Sequence, residues 1–239
     1  ILKILEKYKG TGWHGEVLIK NVRKKLHRMY SSTVSRKILN EKILDKKTTE
    51  EILKKHLSTR ERYQDYNKIY ERLFLDMPVK GKVSVIDLGS GINGLSFNFL
   101  NKHIKEYVAV EAVGQLVNLM NKYFEKENIN KGRAIHESLF SLNNIKEIVQ
   151  NTEGPRVVFL FKVLDSLEML ERDFSKKLIK EILPITERVV VSFATESFVK
   201  RKKFQVTRKW FEEFLDEEKV HIKNDFELSG ERYIILEKS

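Results

Sequence analysis

The chain has 239 residues and no cysteine. That excludes disulfides, thiolate metal sites and any mechanism that attacks through a cysteine sulfur. Proline occurs only 3 times. No apolar run approaches the roughly 18 residues of a membrane-spanning helix. The opening stretch ILKILEKYKG is broken by charges, unlike the apolar centre of a secretory signal. No internal repeat, low-complexity tract or metal-ligand spacing is found. A soluble, cytoplasmic protein with no membrane partner and no metal is the expectation.

Hydrophobic residues make up 41% of the chain, enough for a sizeable core, and charged residues 33%. The Lys and Glu enrichment fits a thermophilic source and equally an AT-rich genome. The net charge of +11 is unevenly spread: residues 1–80 carry 20 Lys/Arg against 10 Asp/Glu, and residues 81–239 carry 25 against 24. An excess held in one segment points to a polyanionic partner.

Residues 1–80 read as a basic helical domain. Glu16 to Tyr30 places Val17, Ile19, Val22, Leu26 and Met29 along one helical face. Thr48 and Glu51 form a capping-box pattern, and Ser58 or Thr59 is expected to cap the next helix. Asp76 to Gly81 breaks the pattern and sets the boundary. Residues 81–239 then alternate apolar strands with helices. The strands are expected at 83–87, 107–111, 133–138, 156–162 and 188–194, with one long helix over 166–183. Two strands, 219–228 and 231–238, follow without an intervening helix. Continuous apolar strands joined by helices give a doubly wound parallel α/β sheet. The closing hairpin matches the class I, S-adenosylmethionine (SAM)-dependent methyltransferase variant, with a mostly parallel seven-stranded sheet.

The stretch VSVIDLGSGING (83–94) contains Gly89-x-Gly91-x-x-Gly94, letter for letter a dinucleotide fingerprint. Glycines allow a sharp turn and close approach of a ligand to the backbone. Asp87, two residues earlier, favours the cationic amino group and sulfonium of SAM over a pyrophosphate. Glu111 ends the next strand, where a carboxylate can accept from both ribose hydroxyls of either cofactor. A nicotinamide enzyme is the runner-up on these residues.

Three segments carry a more specific resemblance. His56-Leu-Ser-Thr-Arg-Glu-Arg62 is similar to an H-x-S-T-R-E-R motif. DLGSGING is similar to D-x-G-C-G-x-N-P. FKVLDSLE (161–168), with VVVSFATES (189–197) and the run KRKK, is similar to L-K-x-L-P-x-L-E and S-F-P-T-x-S-L-x-G-R-x-K-G. Together these resemble the Arm family of aminoglycoside-resistance 16S rRNA (guanine-N7) methyltransferases over residues 56 to about 210. The chain departs at Ser90, Gly94, Asp165, Ala194 and Glu196. A divergent, archaeal or thermophilic relative, with a housekeeping or a resistance role, would fit.

The resemblance implies a set of cofactor contacts. Arg60 would reach the SAM carboxylate, Gly89 and Gly91 would line the methionine part, and Glu111, with Ala112 beside it, would hold the ribose. Ser138 and Leu139 would flank the adenine where the family has Asp-Leu, with Glu137 as a stand-in carboxylate. Phe161 and Lys162 would face the methyl group, Lys162 as a positioning residue. Elimination agrees on a ring nitrogen: there is no cysteine for cytosine C5, no Asp/Asn-Pro-Pro-aromatic motif for exocyclic amines, and no Lys-Asp-Lys-Glu set for ribose. Guanine N7 carries a lone pair and no proton, so it needs positioning rather than a base.

RNA contacts are expected from Arg23, Lys24, Lys25, Arg28, Arg36 and Lys37. A second group comprises Lys200, Arg201, Lys202, Lys203, Arg208 and Lys209 beside the cofactor edge. The expected substrate is 16S rRNA in the 30S subunit, the expected product S-adenosylhomocysteine, and the expected state a monomer. A tRNA or adenine-N1 target stays open, as does a non-catalytic ribosome-assembly factor that keeps the fold.

Overall fold

The computed structural model describes residues 5, 12, 14–30, 40, 42–195 and 208–238. Among these, helices α1 (Gly15–Tyr30), α2 (Ile43–Lys46), α3 (Thr49–Leu53), α4 (Leu57–Arg62) and α5 (Tyr66–Phe74) precede the first strand. Then β1 (Val83–Leu88), α6 (Phe97–Leu100), β2 (Ile104–Glu111), α7 (Gly114–Lys126), β3 (Gly132–His136), α8 (Leu142–Asn151) and β4 (Arg156–Phe161) alternate. They are followed by α9 (Leu164–Leu170), α10 (Phe174–Ile182), β5 (Arg188–Ala194), α11 (Lys209–Glu217), β6 (His221–Leu228) and β7 (Glu231–Glu237).

The strands form one 7-stranded sheet in the order β3-β2-β1-β4-β5-β7-β6. Strands β1 to β5 pair in parallel, and β7 runs antiparallel to both β5 and β6. The order reverses at β1, so a crevice opens where the chain leaves β1 and β4 toward opposite sides. Every residue of β1 is buried, as the continuous apolar run requires of a central strand. Its side chains alternate between two cores. Val83 and Val85 join Tyr107, Val157 and Phe159 on one face, while Ile86 and Leu88 join Val108, Val158 and Leu160 on the other.

The expected boundary near residue 80 does not divide the packing. Ile43, Leu44, Ile52, Leu53, Tyr66, Ile69, Tyr70 and Leu73 share one core with the sheet. The stripe 66–69–70–73 has helical spacing, and the sheet is what covers it. The capping box at Thr48 forms in full: Thr48 Oγ1 accepts from the Glu51 amide at 3.2 Å, and the Glu51 carboxylate accepts from the Thr48 amide at 3.0 Å. Helix α4 begins two to three residues earlier than expected, after His56, and Thr59 donates back to the Leu53 carbonyl at 2.6 Å instead of capping. The single helix expected over 166–183 is two. Asp173 takes a left-handed φ of 62°, and the Glu168 carboxylate accepts from the amides of Asp173 and Ser175 at 2.7 and 2.8 Å. That carboxylate supplies an N-terminal cap to α10, which makes the break favourable.

Candidate active site

Strand β1 runs into the glycine loop. Gly89 has φ 73° and Gly91 φ 58°, a region that costs a residue with a Cβ. The loop is pinned by Gly89 and Ser90 amides, which donate to the Val110 carbonyl at 2.8 and 3.2 Å. A Cβ on Gly89 would fall 2.7 Å from Val163 Cγ2, so the loop needs glycine there for space as well as conformation. Gly94 has another purpose. A Cβ at that position would meet Met120 Sδ at 2.9 Å and the Phe124 ring at 3.2 Å. The third glycine lets the chain pack onto α7 and does not face a ligand.

A cavity opens at the C-terminal edge of β1, β2 and β4, the usual ligand position in such sheets. The glycine loop forms its floor, with Glu111 and Ala112 on one side and Phe161 and Lys162 on the other. Leu116, Leu139, Phe140, Leu167 and Leu170 give it an apolar wall, and His56, Ser58, Thr59 and Arg62 close it from α4. Glu111 is buried, and its two oxygens accept from the amides of Gly91 and Val113, each at 2.9 Å. Burial pushes its carboxyl up, and those amide bonds oppose the shift. Each oxygen retains capacity for a further hydrogen bond.

The α4 side of the cavity is a buried ionic network. Arg62 donates from Nε and Nη2 to the two oxygens of Glu231, both at 3.0 Å, and from Nη2 to Ser58 Oγ at 3.2 Å. Its guanidinium lies 4.7 Å above the ring of Phe161. Lys162 places Nζ 2.6 Å from Glu61 and 2.9 Å from Glu231. Ser192 Oγ donates to the other oxygen of Glu231. Burial works against the Glu231 charge, yet Arg62 and Lys162 outweigh it and hold the carboxyl below its usual range. Glu61 moves the other way, raised by burial although Lys162 is close. Lys162 itself sits at φ 55°, a conformation that a non-glycine residue adopts at a cost of about 1–3 kcal/mol and that clusters at functional sites. Its amide is held by the carbonyl and hydroxyl of Ser192, both at 3.1 Å.

Comparison with known proteins adds the chemistry. The family model described as "Ribosomal RNA methyltransferase (FmrO)" matches residues 3–235. The chain belongs to this family. Among solved structures, the 16S rRNA methylase RmtB is similar at 19% identity and a TM-score of 0.76, over 99% of this chain and 89% of that one. The 16S rRNA methylase ArmA is similar at 24% identity and a TM-score of 0.64, over 85% and 97%. An rRNA methylase from Escherichia coli is similar at 17% identity and a TM-score of 0.76, over 99% and 90%. At such identities these structures support the fold, an α/β class I methyltransferase. Comparison with curated proteins gives no match.

The rRNA methyltransferase brings eight expected residues to one cavity: Gly89, Gly91, Glu111, Ala112, Ser138, Leu139, Phe161 and Lys162. Four other expected residues do not line it. Arg60 lies exposed and does not line the cavity, whereas Arg62 does. Two residues turn a helix by about 200°, so only one of the pair can face inward. Asp87 is 1% exposed and lies behind the loop. Its Oδ2 accepts from Tyr107 at 2.6 Å and from Asn93 at 2.8 Å, so it braces the turn from below. Burial raises its carboxyl despite those bonds. Arg208, expected on RNA, is clamped to Asp165 at 2.7 Å and stacks on Phe193 with 4.3 Å to the ring centre. Glu137 is also turned aside: it accepts from the Ser138 amide and from Asn144, each at 2.7 Å.

Lys24 and Lys209 are exposed. Arg36, Lys37, Lys200, Arg201, Lys202 and Lys203 lie outside the described residues, as do the side chains of Arg23, Lys25 and Arg28. Sequence reasoning missed His56, Ser58, Thr59 and Arg62 as cavity residues, and Glu231 as their anchor. The helical spacing 56–59–62 held the signal for three of the four. Nothing local marks Glu231.

Proposed function

We propose that this rRNA methyltransferase moves a methyl group from SAM to N7 of a guanine in 16S rRNA and releases S-adenosylhomocysteine. The observation that carries the reading is the character of the titratable groups that line the cavity. Arg62 and Lys162 are cations held by Glu231 and Glu61. Glu111 is turned onto backbone amides. His56 is buried, and its imidazole is pushed down to about 4 by burial and by the charges of Arg62 and Lys162. Each is committed to a partner or held in a weakly basic form, so none stands free as a general base. Guanine N7 has no proton to lose, so such a cavity suits it.

The residues present fit the cofactor. The backbone around Gly89 and Gly91 admits close approach, Glu111 keeps acceptor capacity for a pair of ribose hydroxyls, and the apolar wall from Leu116 to Leu170 suits a purine. When bound, the cofactor supplies an activated methyl group on a sulfonium. The protein's own part is to orient and to exclude water. Phe161, pressed between Arg62 and a Phe159 ring 4.5 Å away, forms a stiff wall. Lys162 fixes the turn after β4 through its ion pairs. Lys24 and Lys209 remain exposed cations for phosphate contact, and a monomer acting on the assembled 30S particle is the arrangement we favour.

The test is transfer of tritiated methyl to 30S particles, naked rRNA and tRNA, followed by borohydride and aniline cleavage at N7-methylguanine. Label in 30S or rRNA with aniline-sensitive cleavage is expected. Label without cleavage would move the target to another ring nitrogen such as adenine N1, and label only in tRNA would move the substrate. Calorimetry with SAM separates a non-catalytic RNA-binding factor, which would bind no cofactor.

A further inference from the structure

Two carboxylates hold Lys162, and they differ in what else they do. Glu231 is fully buried, and both of its oxygens are taken, by Arg62, Ser192 and Lys162. The Glu61 side chain is 22% exposed. Its Oε2 accepts from Lys162 at 2.6 Å, and among the described residues its Oε1 meets no donor. Lys162 lines the cavity and Glu61 does not. The carboxylate therefore stands one side chain further out, at the rim. The ion pair offers a donor toward the cavity and an acceptor beside it toward solvent. The left-handed backbone at Lys162, with φ 55°, is strain of the kind that is kept where it positions a functional group.

That order of groups matches the edge of one purine. Going away from N7, guanine presents the O6 acceptor and then the N1–H donor. Adenine presents the N6 amino donor and then the N1 acceptor. A donor inside and an acceptor outside complement guanine at both places. Adenine would set its amine against the ammonium and its N1 lone pair against the carboxylate, so the same pair rejects it. Enzymes that act on a base take it out of the stack and read its Watson–Crick edge in this way. An ammonium has three N–H groups to share among O6 and the two carboxylates.

We propose that Lys162 and Glu61 select the target base: the Lys162 ammonium donates to O6 of a guanine, and Glu61 Oε1 accepts from its N1–H, which turns N7 toward the methyl donor. This rests on the guanine-N7 reading above. Neither residue takes a proton. The pair determines which base is accepted and how it lies.

Single-turnover methyl transfer to 30S particles, or to naked rRNA if that is the form labelled, tests it beside calorimetry with S-adenosylhomocysteine. Glu61→Ala should lower the transfer rate at saturating RNA by about tenfold to a hundredfold, the range for a hydrogen bond to a charged group. The half-saturating RNA concentration, set largely by phosphate contacts, should stay within about threefold. So should the affinity for S-adenosylhomocysteine. Glu61→Gln keeps an acceptor oxygen without the charge. It should recover part of the lost rate, and it serves if the alanine variant does not fold. Cofactor affinity lost in step with the rate would make Glu61 a packing residue and overturn the proposal. A change confined to the half-saturating RNA concentration would mean that Glu61 acts in docking and not on the base, which overturns it too. So would an unchanged rate. A wild-type protein that labels RNA without aniline-sensitive cleavage would instead remove the guanine-N7 reading on which the proposal stands.

Discussion

Two arginines lie fully buried at opposite edges of the sheet, and each meets a glutamate of β7. Arg62 reaches Glu231 at the start of that strand, and Arg188, at the start of β5, reaches Glu237 at its end. Both tie the helices before β1 to the last strand. Arg188 does so through backbone: it donates to the carbonyls of Leu73, Leu75 and Asp76, where α5 ends, at 2.5, 3.0 and 3.0 Å. Those are carbonyls that a helix terminus leaves without partners. Arg62 does so through side chains, with Ser58, Asn93 and the Phe161 ring around it and Glu231 shared with Lys162. One arginine closes a helix. The other sets a field beside a cavity. Arg62 grips both oxygens of its glutamate and Arg188 only one, but the larger difference lies in what surrounds each pair.

The largest test removes each glutamate. Glu231→Gln leaves buried Arg62 and half-buried Lys162 short of one charge and should cost about 3–5 kcal/mol in urea unfolding. Glu237→Gln leaves Arg188 its carbonyl acceptors and should cost about 1–3 kcal/mol. Equal losses would break the comparison. Next comes pH. Burial, reinforced by the Arg62 and Lys162 charges, holds His56 at about 4 in the folded chain, below the ordinary 6.5. Below pH 6.5 the unfolded chain takes up a proton that the folded one refuses. Stability is therefore lost as pH falls from 6.5 to about 4, by about 3 kcal/mol, and levels off below. Asp87 and Glu111, raised by burial, act in the opposite direction. The measurement is thus the difference between wild type and His56→Gln across that range, and a flat difference would show that the surroundings do not hold the ring neutral. The smallest effect belongs to a third arginine. Arg208 pairs with Asp165, whose side chain is 52% exposed. Asp165→Asn should cost at most about 1 kcal/mol in thermal unfolding. A larger loss would mean that burial is not what separates the three.

Much of the fold was legible because strands buried on both faces read as apolar runs, and the closing hairpin showed as two such runs joined by Ser229-Gly230. The glycine loop and Glu111 were legible because their backbone demands are local. What was hidden depended on direction or distance. Arg60 and Arg62 are indistinguishable in composition and differ only by helical phase. Asp87 carried the right charge, but a Tyr107 hydroxyl 20 residues away claimed it. The helix break at Asp173 was hidden because its cap comes from Glu168, five residues earlier in the preceding helix. The boundary expected at residue 80 followed the charge and the turn chemistry, while the core followed the apolar stripe of α5.

The pairing of Arg62 with Glu231 spans 169 residues of chain. Synthesis is vectorial, so Arg62 has no counter-charge to be buried against until β7 has been made. The α4 wall of the cavity therefore closes late, when the last strand slides in beside β5. A nascent chain that stops short of Glu231 holds the glycine loop and Glu111 but has no completed wall opposite them. Such a fragment should be inert, which makes finishing the chain a condition for acting on RNA.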